Sequence, residues 1–335
     1  MPPHLCRRCG VLTANYPLCN TCSTDYFVCD DCDCVIGQDE YGENGRCEAC
    51  LEEQDNENAE GNLNSNDYCP NPIFLPYYEK GALYFGVELE TDHYPNGRRT
   101  VTKALNNISQ GEDLFWLGED GSLDNGIEII SHPATLEYHL NEFPWKRIMN
   151  ICKDYEGKSH DTTTCGLHVH FNTNYLGEPE SDKWCKNIKR FLALFYTHKA
   201  NFAILSRRTS DREWTWAQPL VGQPANYTYG RVKDIKRWGD KYRSVNICPD
   251  QTIEVRIFKG TLVLLTLFAT LEFMDWVIHH ALRTSLRTIR TETWKNFALP
   301  RGRYQYLPNY IIERGLYVPN NRKAQRRRIA TTSIA

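Results

Sequence analysis

Three short segments place two ionisable side chains two residues apart within an otherwise apolar run. They are Glu88 and Glu90 in FGVELE, His168 and His170 in GLHVHF, and Glu254 and Arg256 in TIEVRIF. Successive side chains of a β-strand point to opposite faces, so each pair projects to one side while its apolar neighbours point to the other. An ordinary half-exposed strand alternates in the same way, but it usually carries mixed polar residues rather than this set of carboxylates, imidazoles and a guanidinium.

Further carboxylates come from neighbouring predicted strands, namely Glu128 in GIEII and Asp120 in GEDGS. Like charges on one face repel each other unless cations lie between them. Mg²⁺ favours carboxylate oxygens and shares its coordination with phosphate, and Arg256 offers planar donors that suit a phosphoryl group. The pattern therefore predicts a face that binds metal ions and phosphate.

A second chemistry lies in the first fifty residues, which hold four CxxC pairs: Cys6/Cys9, Cys19/Cys22, Cys29/Cys32 and Cys47/Cys50. Two pairs complete one tetrahedral zinc site, so four pairs predict two structural Zn²⁺ ions. Sequential pairing closes shorter loops than a cross-brace of first with third and second with fourth, but the spacing allows both. Cys34 is a spare that can replace Cys32, and a redox, disulfide or iron–sulfur cluster is the alternative to zinc.

Charge is distributed unevenly along the chain, although the net charge is only −3. Residues 1–69 carry 14 acids and three bases, whereas residues 300–335 carry eight bases and one acid. The acidic cysteine segment argues against nucleic acid as its partner and favours a structural or protein-docking role. The N-terminus lacks the apolar core of a signal peptide, and acids and histidines interrupt the apolar stretch 262–282. We therefore expect a cytoplasmic protein without a membrane partner.

Periodicity predicts the elements that must position these residues. Strands are expected near 84–90, 114–123, 126–133, 165–172, 242–247 and 251–258. Helices are expected near 98–109, 135–155, 183–206 and 262–282. Because strands and helices do not alternate strictly, we expect an α+β fold in which helices flank an antiparallel sheet.

Four motifs in order resemble those of the amidoligase family, within the glutamine synthetase and glutamate–cysteine ligase group of carboxylate–amine ligases. They are FGVELE, EDGSLDNGIEIISHP, CGLHVHFN and KYRSVNICPDQTIEVRIFKGTL, and together they span about residues 84–262. The resemblance implies a glutamine synthetase-like sheet whose concave face binds ATP and two or more Mg²⁺ ions. It further implies that an acyl phosphate forms and that an amine converts it into an amide, as a peptide or isopeptide bond.

The resemblance also assigns roles to single residues. The metal ligands that it implies are Glu88, Glu90, Glu128, Glu254 and His168, with the choice between His168 and His170 left open. The catalytic residues that it implies are Arg256, which would hold the transferred phosphoryl group, together with His170 and Glu254. The residues implied to contact nucleotide or substrate are Arg243, Asn246, Asp120 and Ser122. Asp120 and Ser122 also fit a simple turn, and Arg243 fits a structural ion pair.

These expectations divide the chain into four parts. A double zinc-binding, zinc-ribbon-like module is expected at residues 1–50, an acidic flexible linker at 51–69, the amidoligase-like catalytic domain at 70–320 and a basic tail at 321–335. The ligase would take a carboxylate and an amine, with a peptide or protein among the candidate substrates. The zinc module would dock a protein partner.

Two other functions fit the same residues. The HVH segment and its carboxylates would suit the catalytic zinc of a metallohydrolase, which would need no nucleotide. A non-enzymatic adaptor would use the cysteine module alone and would tolerate the loss of Glu88. His279 and His280 are expected to be helix residues rather than ligands.

Overall fold

The computed structural model describes residues 4–30, 32–37, 45–48, 50, 63–65, 68–208, 217–218, 222–240, 242–298 and 302–318. The chain divides into two compact units, Met1–Asn62 and Leu63–Ala335. Most of the predicted linker and the whole predicted basic tail lie outside the described residues.

The first unit contains two antiparallel hairpins, each with a CxxC pair at its turn. Strand β1 (His4–Leu5) pairs with β2 (Leu12–Thr13), and β3 (Tyr26–Val28) pairs with β4 (Val35–Gly37). The turns close with left-handed residues, Gly10 at φ 75° and Asp33 at φ 60°. Since glycine and aspartate tolerate this conformation, both turns can bring their sulfurs to the same side.

The second unit is built on a six-stranded sheet. Its strands are β5 (Phe85–Thr91), β6 (Phe115–Gly118), β7 (Ile127–Ser131), β8 (Gly166–Asn172), β9 (Val245–Asn246) and β10 (Thr252–Lys259). The strand order is β6-β7-β5-β8-β10-β9, and every neighbouring pair is antiparallel. The predicted antiparallel sheet is thus confirmed.

Ten α-helices accompany the sheet within the described residues. They are α1 (Arg98–Asn106), α2 (Leu136–Asn141), α3 (Trp145–Asp154), α4 (Asp182–Thr197), α5 (Lys199–Ser206), α6 (Tyr229–Trp238), α7 (Leu264–Arg283), α8 (Leu286–Thr291), α9 (Trp294–Phe297) and α10 (Leu307–Glu313). Single turns of 3₁₀-helix lie at Cys22–Thr24, Thr173–Leu176 and Pro224–Asn226. No described helix combines the length and the apolarity that crossing a membrane requires.

The apolar face of the sheet packs against helices. Val87, Val169 and Val255 of the three central strands are fully buried. They belong to one hydrophobic cluster with Phe191 of α4 and Phe273 of α7. Burying each such side chain contributes about 1.5–3 kcal/mol, so this layer fixes which face of each strand points away from the core.

Polar side chains begin several of these helices and satisfy their free N–H groups. The capping side chains are Thr135, Ser181, Thr228 and Ser285, which accept from the third residue after each. Glu272 of α7 is buried and accepts the backbone N–H groups of residues 305–307 at 2.7–2.8 Å. This carboxylate therefore holds the start of α10 against α7.

Two predictions of a single long helix are wrong, because the structure has two shorter helices in each of these segments. The predicted helix 135–155 breaks before Pro144, because proline lacks an N–H and disfavours helical geometry in the residue before it. The predicted helix 183–206 breaks at His198, whose backbone angles of −106° and 20° leave the helical region. The predicted helices 98–109 and 262–282 and most predicted strands match the structure to within a few residues at each end. Sequence analysis did not predict helices α6, α8, α9 and α10.

Two further predictions need correction. The predicted strand 242–247 shrinks to Val245–Asn246, since residues 242–244 form a turn and an isolated bridge. The predicted linker is too long, because Asn64 pairs with the free edge of β6. Its N–H donates to Leu117, and its carbonyl accepts from Glu119, both at 2.9 Å.

Candidate functional site

Alternation along the central strands gathers the predicted polar residues on one face of the sheet. Because β5 lies between β7 and β8, Glu88 is opposite His168 on one side, and Glu90 is opposite Glu128 on the other. The other face of these strands is the buried apolar layer. The sheet thus brings together residues that are far apart in the sequence.

Glu88 lies at the centre of this cluster. Its Oε2 is 3.0 Å from Nδ1 of His168, and its Oε1 is 2.8 Å from Nε2 of His170. Burial would raise the pKa of Glu88, but the charge of His170 and the bond with His168 bring that pKa well below its usual range. Burial lowers the pKa of His170, yet the charge of Glu88 raises it to about 9. In the absence of a metal ion, Glu88 is therefore an anion and His170 a cation at neutral pH.

Glu90 lies deeper than Glu88, with its side chain only 4% exposed. Its Oε2 accepts the backbone N–H of Gly166, and its Oε1 lies 3.6 Å from Nε2 of His168. Burial raises the pKa of Glu90 above its usual value, and the charges of Asp120 and Glu88 add to this effect. The ionised form of Glu90 is thus less favoured than that of Glu88.

Glu128 is the carboxylate that most clearly lacks a compensating cation. Burial raises the pKa of Glu128 to about 10, and the charges of Glu88 and Glu90 contribute to this shift. Glu128 therefore carries a proton at neutral pH when no metal ion is near. A divalent cation beside it would replace that proton, because a carboxylate must be deprotonated to bind metal.

β10 supplies the guanidinium of the cluster. Glu254 accepts a hydrogen bond from Asn246 at 2.9 Å through Oε2, and Arg256 donates to its Oε1. The register with β8 shifts between Val255 and Phe258, so one extra residue bulges at this point. Bulges turn side chains out of the regular alternation and commonly lie beside functional sites. Here the bulge includes Arg256, whose Nη1 bonds the Glu254 carboxylate.

The residues fit a metal centre with two positions. Ligand atoms of Glu88, His170 and Glu254 lie within 4.8 Å of one another, and so do those of Glu88, Glu128 and His168. Nε2 of His170 is buried and, although close to Glu88, is not aligned for a hydrogen bond with any described residue. Carboxylate-rich sets suit Mg²⁺, and the imidazoles extend the fit to Mn²⁺ and Zn²⁺. Glu88 belongs to both sets and would supply a ligand to each position.

Asp120 and Ser122 occupy a turn next to this cluster. Oδ1 of Asp120 accepts the backbone N–H of Ser122 at 2.6 Å, which is the hydrogen bond of an Asx turn. The charge of Asp120 also contributes to the raised pKa values of Glu90 and Glu128. Asp120 therefore lies within electrostatic reach of the cluster while it makes the turn.

Arg243 is placed differently from the other predicted contacts. Its Nε lies 3.5 Å from the carboxylate of Asp240, three residues earlier in the same loop. It lines a separate cavity of about 220 Å³ together with Tyr227, Ile235 and Ile247. Arg243 therefore has an ion-pair partner within its own loop.

Sequence analysis missed two arginines beside the site, the buried Arg208 and the half-buried Arg207. Arg208 donates from Nε to the carbonyl of Ile257 at 2.9 Å and from Nη2 to the carbonyl of Phe258 at 3.3 Å. Arg207 donates to the next two carbonyls, those of Lys259 and Gly260. These bonds hold the end of β10 directly after the bulge that carries Arg256. Two arginines after a helix have no recognisable motif, so no sequence signal points to this role.

We predict that Arg208→Met weakens the site by freeing the bulge. Each buried carbonyl left without a donor costs about 1–3 kcal/mol, and Arg256 would lose its fixed direction. The melting temperature should fall by several degrees and the affinity of the polar cluster for Mn²⁺ by roughly tenfold or more. Arg287→Met, which removes an exposed arginine of α8, is the matched control. Equal effects of the two substitutions would contradict the role of Arg208.

Gly166 is the first residue of β8, and its backbone N–H donates to Glu90 of the polar cluster. A Cβ added there would lie 2.8 Å from Nε2 of His168 and 3.4 Å from Nη2 of Arg208. We predict that Gly166→Ala displaces His168 and weakens metal binding roughly 10–100-fold, as loss of supporting contacts does elsewhere. Isothermal titration with Mn²⁺ would measure this. Gly230→Ala in α6, where a Cβ meets only an ordinary 3.7 Å contact, should leave the affinity unchanged.

The cysteines of the first unit form two clusters in the sequential arrangement. The sulfurs of Cys6, Cys9, Cys19 and Cys22 converge, as do those of Cys29, Cys32, Cys47 and Cys50. Sulfurs bound about 2.3 Å from one tetrahedral ion lie roughly 3.8 Å apart. The Cys9–Cys19 and Cys32–Cys47 sulfur pairs lie 3.8 and 3.7 Å apart. Both clusters could therefore hold zinc.

Comparison with known proteins gives limited similarity. No protein-family model matches the chain, and no curated protein matches it. One similar solved structure is described as apo GmaS without ligand, with a TM-score of 0.39 and 11% identity over 70% of this chain and 62% of that chain. Another is the complex between the prokaryotic ubiquitin-like protein Pup and its ligase PafA. For that structure the TM-score is 0.31 and the identity 9%, over 63% of this chain and 50% of that chain. The chain thus spans less than two thirds of the length of either structure.

Proposed function

We propose that the chain is an ATP- and Mg²⁺-dependent carboxylate–amine ligase that forms a peptide or isopeptide amide bond. The observation that supports it is the convergence of two ligand sets on Glu88, with Arg256 bonded to Glu254 of one set. Cations next to a guanidinium are what a triphosphate and a migrating phosphoryl group require. The order of the four motifs over residues 84–262 supports the same reaction.

In this proposal some residues of the polar face bind cations, and Arg256 binds phosphate. Glu88, Glu254 and His170 would hold one Mg²⁺ ion, and Glu88, Glu128 and His168 would hold another. Bound Mg²⁺ ions would neutralise phosphate charge. Burial lowers the pKa of Arg256, but the charges of Glu254 and Glu88 outweigh burial and raise this pKa above its usual value. The guanidinium therefore stays charged and can donate to phosphoryl oxygens.

The proposed reaction has two steps. A carboxylate oxygen of the first substrate attacks the γ-phosphorus of ATP, the bond to the β,γ-bridging oxygen breaks, and ADP leaves. The amine of the second substrate then attacks the acyl carbon, loses a proton and expels phosphate. A bare carboxylate is a poor acyl donor, so the first step is what makes the amide accessible. Arg256 would act mainly in this first step.

A hydroxylamine assay tests the proposal. The full chain is incubated with ATP, Mg²⁺, hydroxylamine and a panel of amino-acid and peptide carboxylates, and ADP and hydroxamate are measured. We expect both products in equal amounts, and we expect Arg256→Ala to lower both by about 100-fold or more. Arg98→Ala, which removes an arginine from a surface ion pair with Glu119, is the control. Hydrolysis of a substrate without nucleotide would instead support a metallohydrolase.

Each cysteine cluster holds one structural Zn²⁺ ion in this proposal, and the first unit docks a peptide or protein substrate. The hairpin of β1 and β2 supports docking, because Leu5, Val11 and Leu12 are 59–63% exposed there. Exposed apolar side chains that cluster on a small unit commonly mark a contact surface. Leu12→Asp should raise KM for a peptide carboxylate and leave KM for a free amino acid unchanged.

A further inference from the structure

A second cluster of histidine and carboxylate lies in the helical layer, away from the residues described above. His198 occupies the junction of α4 and α5, His280 lies in the last turn of α7, and Glu292 directly follows α8. Nε2 of His280 is 2.9 Å from Oε2 of Glu292, and Nε2 of His198 is 3.6 Å from Oε1. Three separate elements thus direct one ligand atom each to the same place.

This cluster is buried and incompletely satisfied. The side chains of His198, His280 and Glu292 are 3%, 14% and 6% exposed. Nε2 of His198 is buried and has no hydrogen-bond partner among the described residues, although it points towards the carboxylate. Buried polar atoms are nearly always bonded, so an atom left free in this way indicates a missing partner.

The surroundings suit a tightly held ion. The ring centroid of Phe297 lies 4.7 Å from that of His198 and 5.1 Å from that of His280. The ring centroid of Trp294 lies 5.6 Å from that of His198. These aromatic rings exclude water and restrict both imidazoles. Ligands about 2.0–2.2 Å from a shared ion lie roughly 3.0–3.6 Å apart, which is close to the two distances between histidine nitrogen and carboxylate oxygen. Imidazole and carboxylate together favour Zn²⁺ over Mg²⁺.

We propose that His198, His280 and Glu292 form a metal site for Zn²⁺ that is separate from the cysteine clusters and from the polar face of the sheet. Water would complete the coordination. The ion would connect the junction of α4 and α5 with α7 and the segment after α8, and so stabilise the helical layer behind the sheet. This site does not depend on the proposed ligase activity.

Metal content of the full chain tests the proposal. The protein is saturated with ZnCl₂ and dialysed, and zinc per chain is measured for the wild type, Glu292→Gln and Glu313→Gln. Glu313 is an exposed residue of α10 and serves as the matched control. We expect Glu292→Gln to hold one equivalent less than the other two proteins. Equal zinc content in all three would overturn the proposal and leave the cluster as an ion pair.

A measurement on the unaltered protein guards against misfolding of the variant. Imidazole nitrogen resonances of His198 and His280 are followed by NMR while ZnCl₂ is added, with assignments from His198→Asn and His280→Gln. We expect both Nε2 resonances to shift by tens of ppm, because the metal binds the lone pair of each Nε2 and displaces the proton where one is present. Nε2 resonances that stay in place at saturating zinc would refute the site, whatever the variants do.

Discussion

Glu88→Gln is expected to reduce ATP-dependent amide formation on the order of 1,000-fold, because it removes the one carboxylate common to both ligand sets. Glutamine has the same shape but cannot supply the charge that a cation or His170 requires. Of the carboxylate charges that raise the pKa of His170 against the effect of burial, only that of Glu254 would remain, so this pKa should fall from about 9. Mn²⁺ affinity, steady-state turnover and NMR titration of the imidazole would measure these three effects.

A matched carboxylate outside the cluster provides the control for Glu88→Gln. Glu119 follows β6 and pairs with Arg98 at the surface, where its side chain is 48% exposed. Glu119→Gln should change turnover less than twofold, since exposed ion pairs contribute at most about 1 kcal/mol. Full activity in Glu88→Gln would refute the ligase site and would favour an adaptor whose function lies in the cysteine module.

Cys29→Ser should have the largest effect on the first unit. Cys29 is fully buried and accepts the backbone N–H of Cys47 at 3.3 Å, so it belongs to the interior of the second cysteine cluster. Few apolar side chains are buried among the described residues of this unit, and structural zinc sites contribute on the order of 10 kcal/mol to folding. We expect zinc bound by the first unit to fall from two ions to one and the hairpin of β3 and β4 to lose its structure. Elemental analysis and amide hydrogen exchange would record both changes.

Cys34 provides a close comparison for this experiment. Its sulfur lies 3.2 Å from that of Cys32, yet it is not one of the four sulfurs that converge in the second cluster. Cys34→Ser should therefore keep both zinc ions and the fold of the hairpin. Loss of an ion in Cys34→Ser with retention in Cys32→Ser would show that Cys34 is the ligand. Zinc retention in Cys29→Ser would contradict the proposed set.

The polar pairs could be predicted because strand alternation is a local property of the chain. Glu88, His168 and Glu254 face away from a continuous apolar layer, as the spacing in the sequence requires. The turn at Asp120 was also predictable, since aspartate commonly bonds the backbone two residues on. Whether these residues bind ATP and Mg²⁺ remains a prediction.

Other features depend on contacts between distant segments and could not be predicted. The sequence does not specify that β5 lies between β7 and β8, which decides that Glu90 meets Glu128. The bulge in β10 arises from its pairing with β8 and from the carbonyl bonds of Arg208. His280 was expected to be an ordinary helix residue, because its neighbours in space come from other helices.

The order of the strands also determines when the polar cluster can exist during folding. Glu88 and His168 are 80 residues apart in the chain, yet they lie on adjacent strands. Closing loops of this length costs entropy before any contact is gained, so sheets with such pairing fold slowly compared with helices. Helix α7 can form from its own residues, whereas the cluster requires β5, β8 and β10 together. High-affinity cation binding should therefore appear late in refolding, after most helical circular dichroism, and would serve as a kinetic probe for the completed sheet.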